Sequence, residues 1–167
     1  MTVRALMQDQ SRTLVRPKVR TIEAQGTIAV LSSAVQCKTI SHPDSTQTDW
    51  NEFTRLKDLF AQSFPLCETF SIASGAGPYN LVYCFPGEDQ QALPILLTAH
   101  LDVVGAQDQA WTHPPFSGTV EGGYLYGRGS FDCKIQAVAI LTAFESLLSE
   151  GKKPSRTCYV AFGCDEE

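Results

Sequence analysis

Residues 133–163 read CKIQAVAILTAFESLLSEGKKPSRTCYVAFG, and their order decides the fold class. Over 133–150, Ile135, Val138, Ala139, Ile140, Leu141, Phe144, Leu147 and Leu148 wrap nearly the whole circumference of a helix, and Gly151 is its natural stop. A helix apolar all round is expected to lie buried under a sheet. Residues 157–163 supply a continuous apolar run of strand length. A strand, buried helix, strand order predicts an α/β layer with parallel pairing.

The first strand of that unit is found upstream. Residues 95–99, Ile-Leu-Leu-Thr-Ala, form a second continuous apolar run, the composition of a strand covered on both faces. Between it and the helix lie a long irregular segment at 105–116, of a length typical of functional loops, and a hairpin in which Gly122-Gly123 joins 118–120 to 124–126. Further upstream, strands are predicted over 68–73 and 80–85, separated by the turn Ser74-Gly75-Ala76-Gly77-Pro78. Two helices precede them. One starts at Ala24 and runs over Ile28, Leu31 and Val35; a polar break at Ser41-His42-Pro43-Asp44 ends its reach. The other opens with Asp49 and Glu52 spaced as a capping box, repeats Trp50, Phe53, Leu56, Phe60 and Phe64 at helical spacing, and closes at Pro65. Those aromatics read as core.

Composition narrows the class. At 167 residues and 43% hydrophobic, the chain can bury a core, and no run approaches the roughly 20 apolar residues of a membrane span. Its net charge of -5 argues against a surface that tracks phosphates, so no nucleic-acid partner is expected. The charge is uneven: residues 1–40 hold six basic and two acidic residues, leaving seven basic and sixteen acidic for the rest. The basic leader, residues 1–23, is expected to be a loosely ordered arm. Pro17 and the absence of a clean amphipathic period weigh against a transit peptide, no apolar segment makes a secretory signal, and a cytoplasmic location is favoured. Six cysteines at irregular spacing, with no C-x-x-C pair, read as buried thiols rather than a disulfide framework.

The chemistry gathers at strand ends, where open α/β sheets bind ligands. His100 and Asp102 follow the strand at 95–99; Asp132 follows the Gly127-Arg128-Gly129 turn and opens the buried helix; Glu166 and Glu167 follow the last strand. Singly, each has a bland reading: a satisfied histidine, a helix N-cap, a solvated pair of glutamates. Together, one imidazole and several carboxylates form the mixed nitrogen and oxygen set that zinc accepts. Cys133 and Cys164 flank these positions and read as packing.

Four segments carry a family resemblance. Leu96-Leu97-Thr98-Ala99-His100-Leu101-Asp102-Val103-Val104, Trp111-x-x-Pro114-Pro115-Phe116-Ser117-Gly118, Tyr126-Gly127-Arg128-Gly129-x-x-Asp132-x-Lys134 and Phe162-Gly163-x-Asp165-Glu166-Glu167 are similar, in order and spacing, to the signatures of the M20 metallopeptidases. The nearest branch is that of Gly-Xaa carboxypeptidases and N-acyl-amino-acid amidohydrolases, or carboxypeptidase S. The resemblance is strong over 93–167 and weak over 24–92. It implies an α/β fold, part of a catalytic domain with a mixed sheet and flanking helices and without the lid or dimerisation domain. It further implies two Zn2+ ions, with His100 on one, Glu167 on the other and Asp132 bridging them; Asp102 orients His100, and Glu166 is the general base. The expected reaction is hydrolysis of an amide beside a free carboxylate in a short peptide or N-acyl amino acid. The peptide after Asp132 is expected to be cis, and the backbone around Glu166 irregular.

Two departures stand out. Gly105 replaces a common Pro, and Cys133 replaces an Asp frequent in this branch. Trp111, Pro114, Pro115 and Phe116 either shape the substrate approach or pin the long loop. The family's remaining zinc ligands lie downstream of Glu167, and neither His42 nor His113 matches the missing one. The expectation is therefore that residues 24–167 are the N-terminal part of a catalytic domain, inactive alone, with the last strand exposed at an edge and prone to pair with a second copy. The alternative is a non-catalytic remnant or interaction partner.

Overall fold

The computed structural model describes residues 24–73, 77–107 and 110–167. The arm at 1–23 and residues 74–76 of the predicted turn lie outside the described residues. Helix α1 (Ala24–Gln36) is followed by a single 3-10 turn at Ser45–Gln47, then α2 (Trp50–Ser63), the short α3 (Pro65–Glu68), β1 (Ser71–Ile72) and β2 (Leu81–Phe85). Next come β3 (Ile95–His100), the hairpin β4 (Thr119–Glu121) and β5 (Tyr124–Tyr126), α4 (Lys134–Ser149) and β6 (Cys158–Gly163).

Local chemistry explains the boundaries, and in places corrects the sequence expectation. Asp49 does cap α2, its side chain accepting from the Asn51 N–H at 3.1 Å. Glu52 does not close a capping box, because its carboxylate instead accepts the Lys38 N–H at 2.6 Å. Pro65 ends α2 but also begins α3, where its missing N–H is harmless and its fixed φ suits a first helical turn. The Glu145 side chain on α4 takes the exposed N–H groups of α3, from Leu66 at 3.0 Å and Cys67 at 2.9 Å. That fork holds residues 65–68 helical, so the strand predicted from 68 starts only at Ser71. Gly122 and Gly123 have φ of +59° and +84°, the left-handed pair that a two-residue hairpin of this twist demands.

Four strands form one mixed sheet in the order β1-β2-β6-β3; β4 and β5 stand apart. Here β6 is central. It runs parallel to β3, with His100 opposite Gly163, and antiparallel to β2, with Leu81 opposite Phe162. The predicted parallel α/β unit is therefore present, whereas the expectation that the last strand forms an edge is wrong: among the described residues the edges are β1 and β3.

Burial alternates along the inner strands. Leu81, Tyr83 and Phe85 of β2, and Cys158, Val160 and Phe162 of β6, face the helices and are buried, each large side chain contributing roughly 1.5–3 kcal/mol. Phe144 on α4 stacks on Phe85 with centroids 4.0 Å apart, anchoring the helix to the sheet. The opposite face carries Tyr159 and Leu96, the latter 62% exposed. A two-sided cover was expected for residues 95–99; the described residues cover one side only. Their composition is that of an inner strand, and composition does not say which elements supply the second layer. Likewise α4 is apolar all round yet one-sided in burial: Ala137, Val138, Leu141 and Phe144 are buried, while Ile135 is exposed.

Candidate metal centre

Register brings the site together. Because β3 and β6 are parallel and His100 pairs with Gly163, the two strands end level, and the chain continues from both into the same region. The Leu101 N–H bonds to the Gly163 carbonyl at 2.8 Å, so residues 101–102 and 164–167 leave the sheet side by side. Beyond Gly163 the backbone is irregular, as expected, which frees Glu166 and Glu167 from the alternation of a strand. Asp132 arrives from a third direction. It precedes α4, after a turn in which Gly129 has φ +79° and lies so near Val103 that an added Cβ would stand 2.7 Å from a methyl carbon. The Asp132–Cys133 peptide is cis, the isomer the resemblance implied.

His100 Nε2 lies 3.1 Å from Asp132 Oδ1 and 3.7 Å from Glu166 Oε2. Two sets of donor atoms fall within 4.8 Å of one another: His100 with Asp132 and Cys133, and His100 with Glu166 and Glu167. Four of the five residues singled out from the sequence fall in these sets, and the fifth, Asp102, lies 3.5 Å from His100 Nδ1. The Asp132 and Glu166 side chains are 77% and 65% exposed, open to a ligand from solvent. His100 is 12% exposed.

Asp102 holds the imidazole from behind. It is fully buried; Oδ2 accepts from Ser41 Oγ at 2.8 Å and from the Glu167 N–H at 3.0 Å, while Oδ1 faces His100 Nδ1 at 3.5 Å with no hydrogen-bond partner. The Asp102 carbonyl lies 3.1 Å from the same Nδ1. A carbonyl only accepts, so Nδ1 carries a proton and the lone pair of a neutral imidazole sits on Nε2. That lone pair faces two carboxylates, a repulsive arrangement unless a proton or a cation lies between. The donor set and its charge fit a divalent metal, and Asp102 meets the imidazole through its carbonyl as well as its carboxylate.

Electrostatics agree. Burial pulls the His100 pKa down, but the Asp132 bond, the Asp102 carbonyl and the charges of Asp102 and Glu166 outweigh it, and the net shift is upward. In the metal-free protein, protonated His100 therefore stabilises the fold fully below about pH 6.5, and this contribution is lost as pH rises through the raised folded value. Thermal melts of chelator-treated protein should show a stability loss across that window that His100→Gln lacks; identical pH slopes would refute it.

Several contributors were invisible in the sequence. Residues 39–41 run beside 101–103: the Val103 N–H bonds to the Thr39 carbonyl at 2.9 Å, Thr39 Oγ1 bonds to the Leu101 carbonyl at 2.6 Å, and Ser41 thereby reaches Asp102. Lys134, fully buried, donates to the carbonyls of Ala34 at 2.9 Å and Cys37 at 2.6 Å, binding the Asp132 segment to the end of α1. A lysine in the first turn of a helix opposes the dipole, and Lys134 also ends the third of the resemblance motifs; these were the signals in the sequence. Cys133 is buried as expected, and its Sγ also accepts the His100 N–H at 3.1 Å. The loop aromatics make pinning contacts: Trp111 Nε1 donates to the Ala106 carbonyl at 3.2 Å and Arg128 sits 5.3 Å over the Trp111 ring. His113 pairs with Glu121 at 3.3 Å, on the hairpin.

Residues 96–167 match the model of "Peptidase family M20/M25/M40". The chain is 41% identical over 140 residues to "Probable carboxypeptidase S-like 2" of Dictyostelium discoideum, covering 82% of this chain and 27% of that protein. It is 36% identical over 148 residues to "N-fatty-acyl-amino acid synthase/hydrolase PM20D1" of Xenopus tropicalis, covering 87% and 28%. In fold it resembles an M20 family metallo-carboxypeptidase from Sulfolobus solfataricus, with a TM-score of 0.66 at 19% identity, over 84% of this chain and 31% of that one. The chain thus spans under a third of the length of each.

Proposed function

From the match of residues 96–167 to the model of peptidase family M20/M25/M40, we propose that the whole protein hydrolyses an amide bond beside a free carboxylate, in a short peptide or an N-acyl amino acid, at a di-zinc centre. The observation that carries this reading is the convergence of His100 Nε2 with Asp132 Oδ1 at 3.1 Å and Glu166 Oε2 at 3.7 Å. The names of the relatives, a carboxypeptidase S-like protein and an N-fatty-acyl-amino acid synthase/hydrolase, support the substrate class.

His100 would hold one ion, Glu167 the other, and Asp132 both. Bound there, zinc supplies Lewis acidity toward the scissile carbonyl and acidifies water. The remaining work belongs to the chain. Glu166, 65% exposed and not needed as a ligand, takes the proton of the attacking water and passes it to the leaving amine. Asp102, held by Ser41 and the Glu167 N–H, keeps the Nδ1–H tautomer and aims Nε2 outward.

The test is expression of the whole gene product and an assay for free amino acid released from N-acyl amino acids and dipeptides. Release that a chelator abolishes is expected; none from zinc-replete protein would sink the reading in favour of a non-catalytic partner. For residues 1–167 alone the expectation differs. His100, Asp132 and Glu167 leave each metal about two protein ligands, fewer than the usual three, so zinc should bind weakly and no substrate should turn over. Metal analysis after dialysis checks this, and stoichiometric zinc would contradict it.

A further inference from the structure

We infer that Ser41 is a positioning residue of the centre, its hydroxyl fixing the Asp102 carboxylate that meets both His100 and Glu167, residues read as ligands of different ions. Asp102 Oδ2 accepts from two donors, Ser41 Oγ at 2.8 Å and the Glu167 N–H at 3.0 Å. The other oxygen, Oδ1, faces His100 Nδ1 at 3.5 Å. One planar group thus touches the chain leaving β3 and the chain leaving β6. A carboxylate turns easily about its bond to Cβ, so a single N–H would leave its plane loosely set. The serine hydroxyl, arriving from a separate segment, is the second point that fixes it.

Ser41 is itself held. Ile40 bridges Val103 in parallel: the Val103 N–H bonds to the Thr39 carbonyl at 2.9 Å and the Ser41 N–H to the Val103 carbonyl at 3.3 Å. On the other side of Asp102, Thr39 Oγ1 reaches the Leu101 carbonyl at 2.6 Å. These bonds flank Asp102, so the serine cannot slide along it. Asp102 is fully buried, and a buried acceptor deprived of a donor is costly; turning toward another partner relieves that cost and disturbs the face shown to His100. Ser41 also lines a cavity of about 480 Å³ with Trp50, Tyr79, Cys164 and Glu167, which leaves room for a methyl group beside the hydroxyl.

The inference rests on the ligand assignment of the hydrolase reading and not on turnover. It is tested on the whole gene product by competing bound zinc against a chelator of known affinity. Ser41→Ala should weaken zinc binding about tenfold, the lower end of what the outer partners of metal ligands contribute. Ser41→Thr keeps the hydroxyl and has space for its methyl, so it should recover most of that affinity. Equal losses in the two variants would report packing instead of the hydroxyl and overturn the inference, as would an alanine variant that binds zinc as tightly as wild type or tighter. Should the alanine variant misfold, the crystal structure of the zinc-loaded whole protein decides: Ser41 Oγ bonded to Asp102 Oδ2 supports the inference, and a serine bonded elsewhere refutes it. Zinc held without hydrolysis sinks the hydrolase reading and leaves this comparison intact. No zinc held sinks the ligand assignment and the inference with it.

Discussion

Replacing Glu166 by glutamine in the whole gene product should lower kcat by about a hundredfold to ten-thousandfold while metal content stays unchanged. The substitution keeps the shape and removes the basic oxygen. Glu166 Oε2 stands 3.7 Å from His100 Nε2, near enough to the centre to reach a water there, and its side chain is 65% exposed, so it is not locked in packing. The fold should tolerate the change. Retained turnover would remove Glu166 from the role of base, and loss of metal alongside activity would make it a ligand. Glu167 offers the contrast: its N–H is fixed to Asp102 at 3.0 Å, and its carboxylate belongs with His100 and Glu166 in one cluster, so Glu167→Gln should release metal first.

The second large effect is on stability. Lys134→Met should destabilise the fold by roughly 2–4 kcal/mol, because the Ala34 and Cys37 carbonyls at the end of α1 lose their buried donor and each unmet acceptor is worth about 1–3 kcal/mol. Methionine keeps most of the volume, so the loss reports on hydrogen bonds rather than a cavity. Urea unfolding at constant m-value measures it, and a loss under about 1 kcal/mol would sink the assignment. Burial also pulls the lysine pKa down to about 8. The unfolded chain then binds the extra proton between about pH 8 and 10.4, so this residue makes stability rise with pH across that window. The difference between wild type and Lys134→Met should display that slope.

What the sequence disclosed follows from the range of the forces involved. The helix from 134 and the strand from 158 were legible because long apolar runs between Gly and Pro punctuation leave few alternatives. The four polar residues that the fold gathers, His100, Asp132, Glu166 and Glu167, were legible because each stands at or just past a strand end or at a helix start, where α/β sheets place their ligands. Partners were not legible. Nothing local could say that Glu52 would turn to the Lys38 N–H instead of its own helix, that Glu145 would reach across to α3, or that Ser41 would find Asp102 sixty-one residues away. Nor could composition tell a strand shielded on both sides from one whose second side meets none of the described residues, as at Leu96. Periodicity reports how apolar a segment is; only the assembled topology reports against what.

That topology bears on the order of events during synthesis. Strands β2 and β3 never touch as neighbours; each is joined to β6, which is translated after both. A ribosome that has released residues up to 157 holds a nascent chain in which, among the described residues, β2 has only the two-residue β1 beside it and β3 has no strand partner. The mixed sheet closes in one step when residues 158–163 emerge, and the same step sets His100 level with Gly163. Until then the apolar segments wait unpaired, the interval in which a holdase chaperone would find them.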